Sequence, residues 1–408
     1  MHCRKIWLVA VLAPILGQTW VGDPAAASGE GRFDRNFAVA AVSGPKTEAV
    51  PLSALTVSSG RIEVRIGSSD YELETLAVTP PGAGPFPLAV VSHGTPTRGG
   101  KEAKKKVRIR YLLAVAEDFA RRGYKAVIFA RRGYASSSGT SREGYGRCDD
   151  ANRRSYVRAA STGAEDFAAV IRAFASRPDI DGSAVIAAGH SGGGFAASAL
   201  ASDPPPGLVG IVNFAGGRGY AGDRGGAKKG NCSKYGFVHA FGTFGDGAEV
   251  PALWLYSTTD RLFWPELIDR ALDAYAANGA PVRLERVGAL WFSDNGHAIP
   301  YLGARGLWSP GIGAFLDAIG APNWETAPDD VAVARIPPPP GLNDRGVNRW
   351  RRYLALSGHK AFAQAEGARF GWAALRDTVQ EAARAAMGAC EKGGHRCRTV
   401  SVDGAMTR

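Results

Sequence analysis

Ala184-Val185-Ile186-Ala187-Ala188-Gly189-His190-Ser191-Gly192-Gly193 is the stretch that decides how this 408-residue chain is read. Its first five residues are apolar without alternation, which predicts a short strand buried on both faces. Glycines two residues before and two residues after Ser191 predict a sharp turn from that strand into a helix. A serine on such a turn stands clear of its neighbours, and its hydroxyl becomes a nucleophile once a base takes its proton. Ser191 is therefore the candidate nucleophile.

The same alternation of buried strand and amphipathic helix continues on both sides. Apolar runs at Pro87 to Ser92, Ala126 to Ala130, Leu208 to Phe214, Ala252 to Tyr256 and Val282 to Val287 read as strands. Helical stretches near Val107 to Arg121, Ala164 to Ser176 and Pro265 to Asn278 separate them. This order predicts an α/β fold with a mostly parallel sheet covered by helices on both faces. Ahead of it, Arg61 to Ile66 and Tyr71 to Val78 alternate polar with apolar and read as an antiparallel hairpin.

A base for Ser191 is expected late, on the loop after the last strand, where His297 stands in Asp294-Asn295-Gly296-His297. A carboxylate must hold that imidazole in the productive tautomer. Asp260, just beyond strand Ala252 to Tyr256, is the candidate, with Asp246 and Asp294 as competitors. The order Ser191, Asp260, His297 is one of the known triad orders. A developing oxyanion needs backbone N–H donors already aimed at it. Gly192 follows the nucleophile and supplies one; Thr95 in His93-Gly94-Thr95 is the candidate for the second. His93 then braces that loop.

Residues from about Val64 to Leu316 resemble the dienelactone hydrolase-related branch of the α/β-hydrolase superfamily. The pieces that match are Ser92-His93-Gly94-Thr95-Pro96, Arg131-Arg132-Gly133-Tyr134-Ala135-Ser136-Ser137-Ser138-Gly139, the Ser191 turn, the Asp260 loop and Asn295-Gly296-His297. The resemblance implies an α/β-hydrolase fold and hydrolysis of a small-molecule ester through a Ser191, His297, Asp260 triad. Dienelactone hydrolases proper carry a cysteine at the nucleophile position, so Ser191 points to an ordinary ester. Exopeptidases of the superfamily share these pieces, so a serine peptidase is the alternative, and an inactive binding protein of this fold is a third reading. Lid insertions are expected at about 133–160 and 216–247. Trp254, Phe263, Trp264, Trp291 and Phe292 flank the acid and base loops and read either as pocket wall or as core.

Two other chemistries are set aside. Gly217-Arg218-Gly219-Tyr220-Ala221-Gly222 spells a dinucleotide fingerprint, but Asp223-Arg224-Gly225-Gly226 after it does not begin a helix that could hold a pyrophosphate. The histidines and cysteines lack metal-ligand spacing, so neither metal nor other cofactor is expected. The formal net charge of +11 favours anionic surfaces or an anionic substrate. The basic run Lys101 to Arg110 has no interleaved aromatics, which argues against nucleic acid and for a solvated helix start.

The ends of the chain carry their own signals. Arg4 and Lys5, the apolar stretch Ile6 to Leu16 and Ala25-Ala26-Ala27 read as a secretory signal peptide over 1–27, hence a periplasmic or secreted protein. No stretch is long and apolar enough for a membrane span. Past Cys3, the cysteines are Cys148, Cys232, Cys390 and Cys397, which allow three pairings or four free thiols; proximity favours Cys390–Cys397, which would leave Cys148–Cys232. A hydrolase domain is expected over 28–335 and a Pro-rich linker over 336–348. The remainder, 349–408, resembles a small ββαβ module found at the ends of exported bacterial proteins, with an unknown partner of its own. Within it Thr378 and Glu381 open a helix as a capping box.

Overall fold

The computed structural model describes residues 50–96, 100–144, 153–218, 233–324 and 336–407. The chain divides into Met1–Glu30 and Gly31–Arg408, and the first unit, with the expected signal peptide, lies outside the described residues. So do Cys148 and Cys232.

Eight strands form one sheet: β1 (Thr56–Ile66), β2 (Ser69–Thr79), β3 (Phe86–Ser92), β4 (Lys125–Phe129), β5 (Ile180–His190), β6 (Leu208–Phe214), β7 (Ala252–Ser257) and β8 (Val282–Val287). Their order is β1-β2-β4-β3-β5-β6-β7-β8. The β1–β2 hairpin is antiparallel and joins β4 antiparallel, whereas every pair from β4 through β8 is parallel. Burial on both faces explains the apolar runs. Val185, Ile186, Ala187 and Ala188 of β5 are fully buried, and each large aliphatic side chain so placed contributes about 1.5–3 kcal/mol.

The helices between the strands are α1 (Gly100–Lys105), α2 (Leu113–Arg121), α3 (Arg153–Ala175), α4 (Gly192–Ala199), α5 (Lys234–Gly245), α6 (Pro265–Ala276) and α7 (Arg305–Ala318). The helix expected from Val107 begins only at Leu113, after a separate 3-10 turn at Ile109–Leu112. Among the described residues no helix is long and apolar enough to cross a membrane.

Of the two expected lid insertions, residues 145–152 and 219–232 lie outside the described residues. Of the rest, residues 153–160 are the first turns of α3, and Tyr134 and Glu143 are buried. Within 216–247, α5 is a core helix: Phe237, Phe241 and Phe244 are buried and close on Phe195 of α4 at ring distances of 6.2, 5.3 and 5.4 Å. Trp254 is likewise core, fully buried between Phe241 and Tyr275.

The C-terminal part carries a second sheet of order β10-β9-β11-β12, built from β9 (His359–Ala365), β10 (Phe370–Arg376), β11 (Cys397–Val402) and β12 (Ala405–Met406). Helix α9 (Val379–Cys390) covers one face through Ala382, Ala386 and Cys390. It lies so close that a Cβ on Gly371 would sit 2.3 Å from the Ala386 carbonyl oxygen. Small residues at these positions make that approach possible. On the other face, Trp350, Tyr353 and Leu354 of α8 (Asp344–Leu354) pack on Phe362 and Val400. The linker therefore ends sooner than 348: Asn343 caps α8 by accepting the Gly346 N–H at 3.0 Å. The capping box is also shifted by one residue. Thr378 accepts the Glu381 N–H at 3.2 Å, but Glu381 reaches back to the N–H of Asp377 at 3.3 Å. A Cys390–Cys397 disulfide, with Cα atoms 6.2 Å apart, ties the end of α9 to β11. A core this small gains from such a staple.

Candidate active site

Ser191 sits between β5 and α4 with φ +54° and ψ −120°, a left-handed conformation that costs a non-glycine residue about 1–3 kcal/mol. The surrounding backbone holds it there. The Ser191 N–H donates to Phe214 O at 3.0 Å, and the Gly217 N–H donates to Ser191 O at 3.0 Å. The flanking glycines answer to space. A Cβ on Gly189 would lie 2.3 Å from the Gly193 carbonyl oxygen, and one on Gly193 would lie 2.3 Å from Ser92 O.

Asp260 and His297 meet directly, with His297 Nδ1 2.9 Å from Asp260 Oδ2. Asp260 is held from the other side, because its Oδ1 accepts the N–H groups of Leu262 and Phe263 at 2.7 and 3.1 Å. Donation of Nδ1–H to the carboxylate leaves His297 Nε2 with its lone pair free to accept a proton. The His297 turn is fixed by Asn295, whose Oδ1 accepts its N–H at 3.2 Å, and by Gly296, which donates to Thr259 O at 3.1 Å. The competing carboxylates are engaged elsewhere: Asp246 with Asn278 at 2.9 Å, Asp294 with Arg261 at 2.9 Å on the surface. Phe263 stands edge-on to the His297 ring at 5.5 Å, and Trp291 and Phe292 lie on the same loop as His297.

Thr95 and Gly192 are neighbours: a Cβ on Gly192 would lie 3.3 Å from Thr95 N and 2.3 Å from its hydroxyl. The Thr95 backbone nitrogen thus lies close to the turn that carries Ser191. Beneath Thr95 lies a buried ionic cluster with no sequence signal of its own. Glu143 accepts from Arg131 at 2.5 Å, Arg218 at 2.6 Å and Tyr134 at 2.9 Å, while Arg218 also donates to Thr95 Oγ1 at 3.1 Å. Burial pushes the Glu143 carboxyl up, but the two guanidiniums outweigh it and hold the group well below the usual carboxylate range.

Two buried histidines complete the surroundings. His93 donates Nδ1–H to Gly94 O at 2.7 Å and accepts the Arg131 N–H on Nε2 at 3.1 Å. His190 accepts from the Tyr111 hydroxyl on Nδ1 at 3.1 Å and donates Nε2–H to His297 O at 2.8 Å. The Tyr111 oxygen in turn accepts the Gly94 N–H at 2.6 Å. In both rings every nitrogen is used by the neutral form. Burial, reinforced by Arg131, lowers His93 to about 3; burial, reinforced by His297, takes His190 well below its ordinary value. Below about pH 6.5 the unfolded chain binds protons at both positions that the folded chain refuses, so stability is full above that pH and falls with acidification. At pH 5 the loss from His93 alone is about 2 kcal/mol. Urea unfolding near neutrality and at about pH 5 measures it; equal free energies at the two would contradict neutral, buried imidazoles.

The serine turn after β5 and the loops that carry Asp260 and His297 after β7 and β8 lie at the carboxyl ends of parallel strands of one sheet. Residues 108–222 match the family model Hydrolase_4, described as serine aminopeptidase, S33. The chain has the α/β-hydrolase fold. The resemblance of its sequence to the dienelactone hydrolase-related branch stands with that match. No curated protein matches it. Among solved structures, the esterase Pf2001 of Pyrococcus furiosus is 14% identical over 67% of this chain and 98% of its own, with TM-score 0.43. An acetyl xylan esterase of Paenibacillus sp. R4 is 16% identical over 60% of this chain and 81% of its own, with TM-score 0.40. A dienelactone hydrolase-like promiscuous phosphotriesterase from metagenomic libraries is 16% identical over 58% and 82%, with TM-score 0.36.

Among the described residues no group of histidine, cysteine and carboxylate side chains could hold a metal ion. Two contributions to the site were missed from sequence. His190 gives no signal in a string of residues, because its role lies in what it touches. Glu143 reads as an ordinary loop glutamate until Arg131 and Arg218 close on it.

Proposed function

We propose that this serine hydrolase cleaves a small carboxylic ester through an acyl-enzyme. The observation that carries the reading is the 2.9 Å Asp260–His297 pair, with His297 O bonded at 2.8 Å to His190, the residue before a serine held at φ +54° on a strand-to-helix turn. In the proposed cycle Ser191 Oγ attacks the ester carbonyl as His297 Nε2 takes its proton. The oxyanion is held by the Thr95 and Gly192 N–H groups, and Asp260 stabilises the imidazolium. Collapse of the tetrahedral intermediate breaks the bond to the alcohol, which leaves with the proton from His297. Water then attacks the acyl-enzyme, activated by His297, and releases the acid. The cycle calls for no cofactor. The charge of +11 makes an anionic ester the favoured variant. The reading places the protein outside the cytoplasm, since the first 27 residues have the order of a secretory signal.

A serine peptidase of the same fold is the second reading, favoured by the description of the family model over residues 108–222. A panel of short-chain p-nitrophenyl esters and aminoacyl p-nitroanilides tests the two. Turnover of esters with none of anilides supports the esterase; the reverse overturns it in favour of the peptidase. Neither, in a folded protein, would leave a binding role for the fold.

A further inference from the structure

We infer that the C-terminal module is an intramolecular clamp on the catalytic centre, gripping at once the loop that carries His297 and the turn that carries Tyr111. The inference rests on the hydrolase reading. The first grip is at Gly303, six residues past His297. Its N–H donates to Ala355 O at the end of α8 at 3.1 Å, and its own carbonyl accepts the Trp291 indole N–H at 2.7 Å. Trp291 also packs against the Trp350–Tyr353–Phe362 cluster of the module. The fit is tight, since a Cβ on Gly303 would lie 2.8 Å from Ala355 Cβ. His297 therefore lies on a loop whose two ends, Trp291 and Gly303, are both held by the module.

The second grip is on the 3-10 turn Ile109–Leu112. Arg110, only 15% exposed, forms an ion pair with Asp377, immediately before the cap of α9. Its neighbour Tyr111 holds the Gly94 N–H and His190 Nδ1. Tyr301 of the base loop meets Tyr111 edge-on at 5.9 Å. The two gripped segments thus converge on His190, which donates to His297 O, and on Gly94, which precedes Thr95. A displacement of the module would move the oxyanion loop and the base against Ser191. Shifts of about 1 Å in such a constellation cost on the order of 10²-fold in rate.

The test uses the full chain. Ala355→Phe wedges α8 away from Gly303, and Arg110→Glu and Asp377→Arg break the ion pair, which the double exchange remakes. Three quantities are read: ester kcat per active site titrated with a fluorophosphonate, KM, and amide exchange across residues 291–303. The clamp predicts that Ala355→Phe lowers kcat by about tenfold or more with KM little changed, and speeds exchange. Each charge reversal lowers kcat by about threefold and the double exchange restores it. A folded Ala355→Phe with unchanged kcat and exchange overturns the clamp. Should that variant not fold, the charge exchange decides alone: single reversals equal to the wild type overturn it. A wild type that does not label contradicts the hydrolase reading, and exchange across 291–303 then still accepts or rejects the clamp.

Discussion

Ser191→Ala reduces ester turnover by about 10⁶-fold, to the level that binding and the oxyanion donors sustain alone. The loss is large because the other members of the constellation have nothing to act through once Oγ is gone. His297 has no proton to take, and Asp260 has no imidazolium to stabilise. The protein should remain folded. Alanine bears the same left-handed backbone as serine, and the bonds from Phe214 and Gly217 that hold the turn are to the backbone of residue 191. Steady-state kinetics with the best p-nitrophenyl ester, beside a thermal melt, measures both. A folded variant retaining more than about one-hundredth of wild-type kcat would remove Ser191 from the chemistry.

Asp260→Asn lowers kcat by about 10⁴-fold with KM little altered. The reason is the tautomer. Asp260 Oδ2 accepts the proton on His297 Nδ1 at 2.9 Å. An amide NH₂ there would donate instead, and the ring would carry its proton on Nε2, where the base is needed. Asparagine keeps the Oδ1 acceptor that caps the Leu262 and Phe263 N–H groups, so the loop keeps its form. A pH–rate profile adds a second readout. The variant's remaining activity should rise with hydroxide concentration, as it does when a nucleophile loses its internal base. Unchanged kcat in Asp260→Asn would assign the orienting role to another carboxylate.

Why some of this was legible before the structure, and some not, follows from range. Strands β5, β6 and β7 announce themselves because a strand buried on both faces must be apolar throughout, and Leu208 to Phe214 was bounded to the residue. The serine turn is legible because close backbone approach leaves only glycine at 189 and 193. Helix α5 was misread as lid because it is apolar on most sides, which is how a helix between core layers reads and also how a pocket roof reads. Helix α8 was hidden in charge. Arg349, Arg351 and Arg352 surround the buried Trp350, Tyr353 and Leu354, and the linker was drawn over the helix's first residues, to 348. The links through His190, Tyr111, Glu143 and Ala355 join residues far apart in the chain, and no local pattern encodes them.

The most direct test of the central claim is peptide mass mapping of the purified protein after reaction with a fluorophosphonate. The account predicts one adduct per chain, on the peptide that contains Ser191 and on Ser191 itself. A folded, ester-cleaving protein whose adduct sits on another residue, or that carries none, would contradict it.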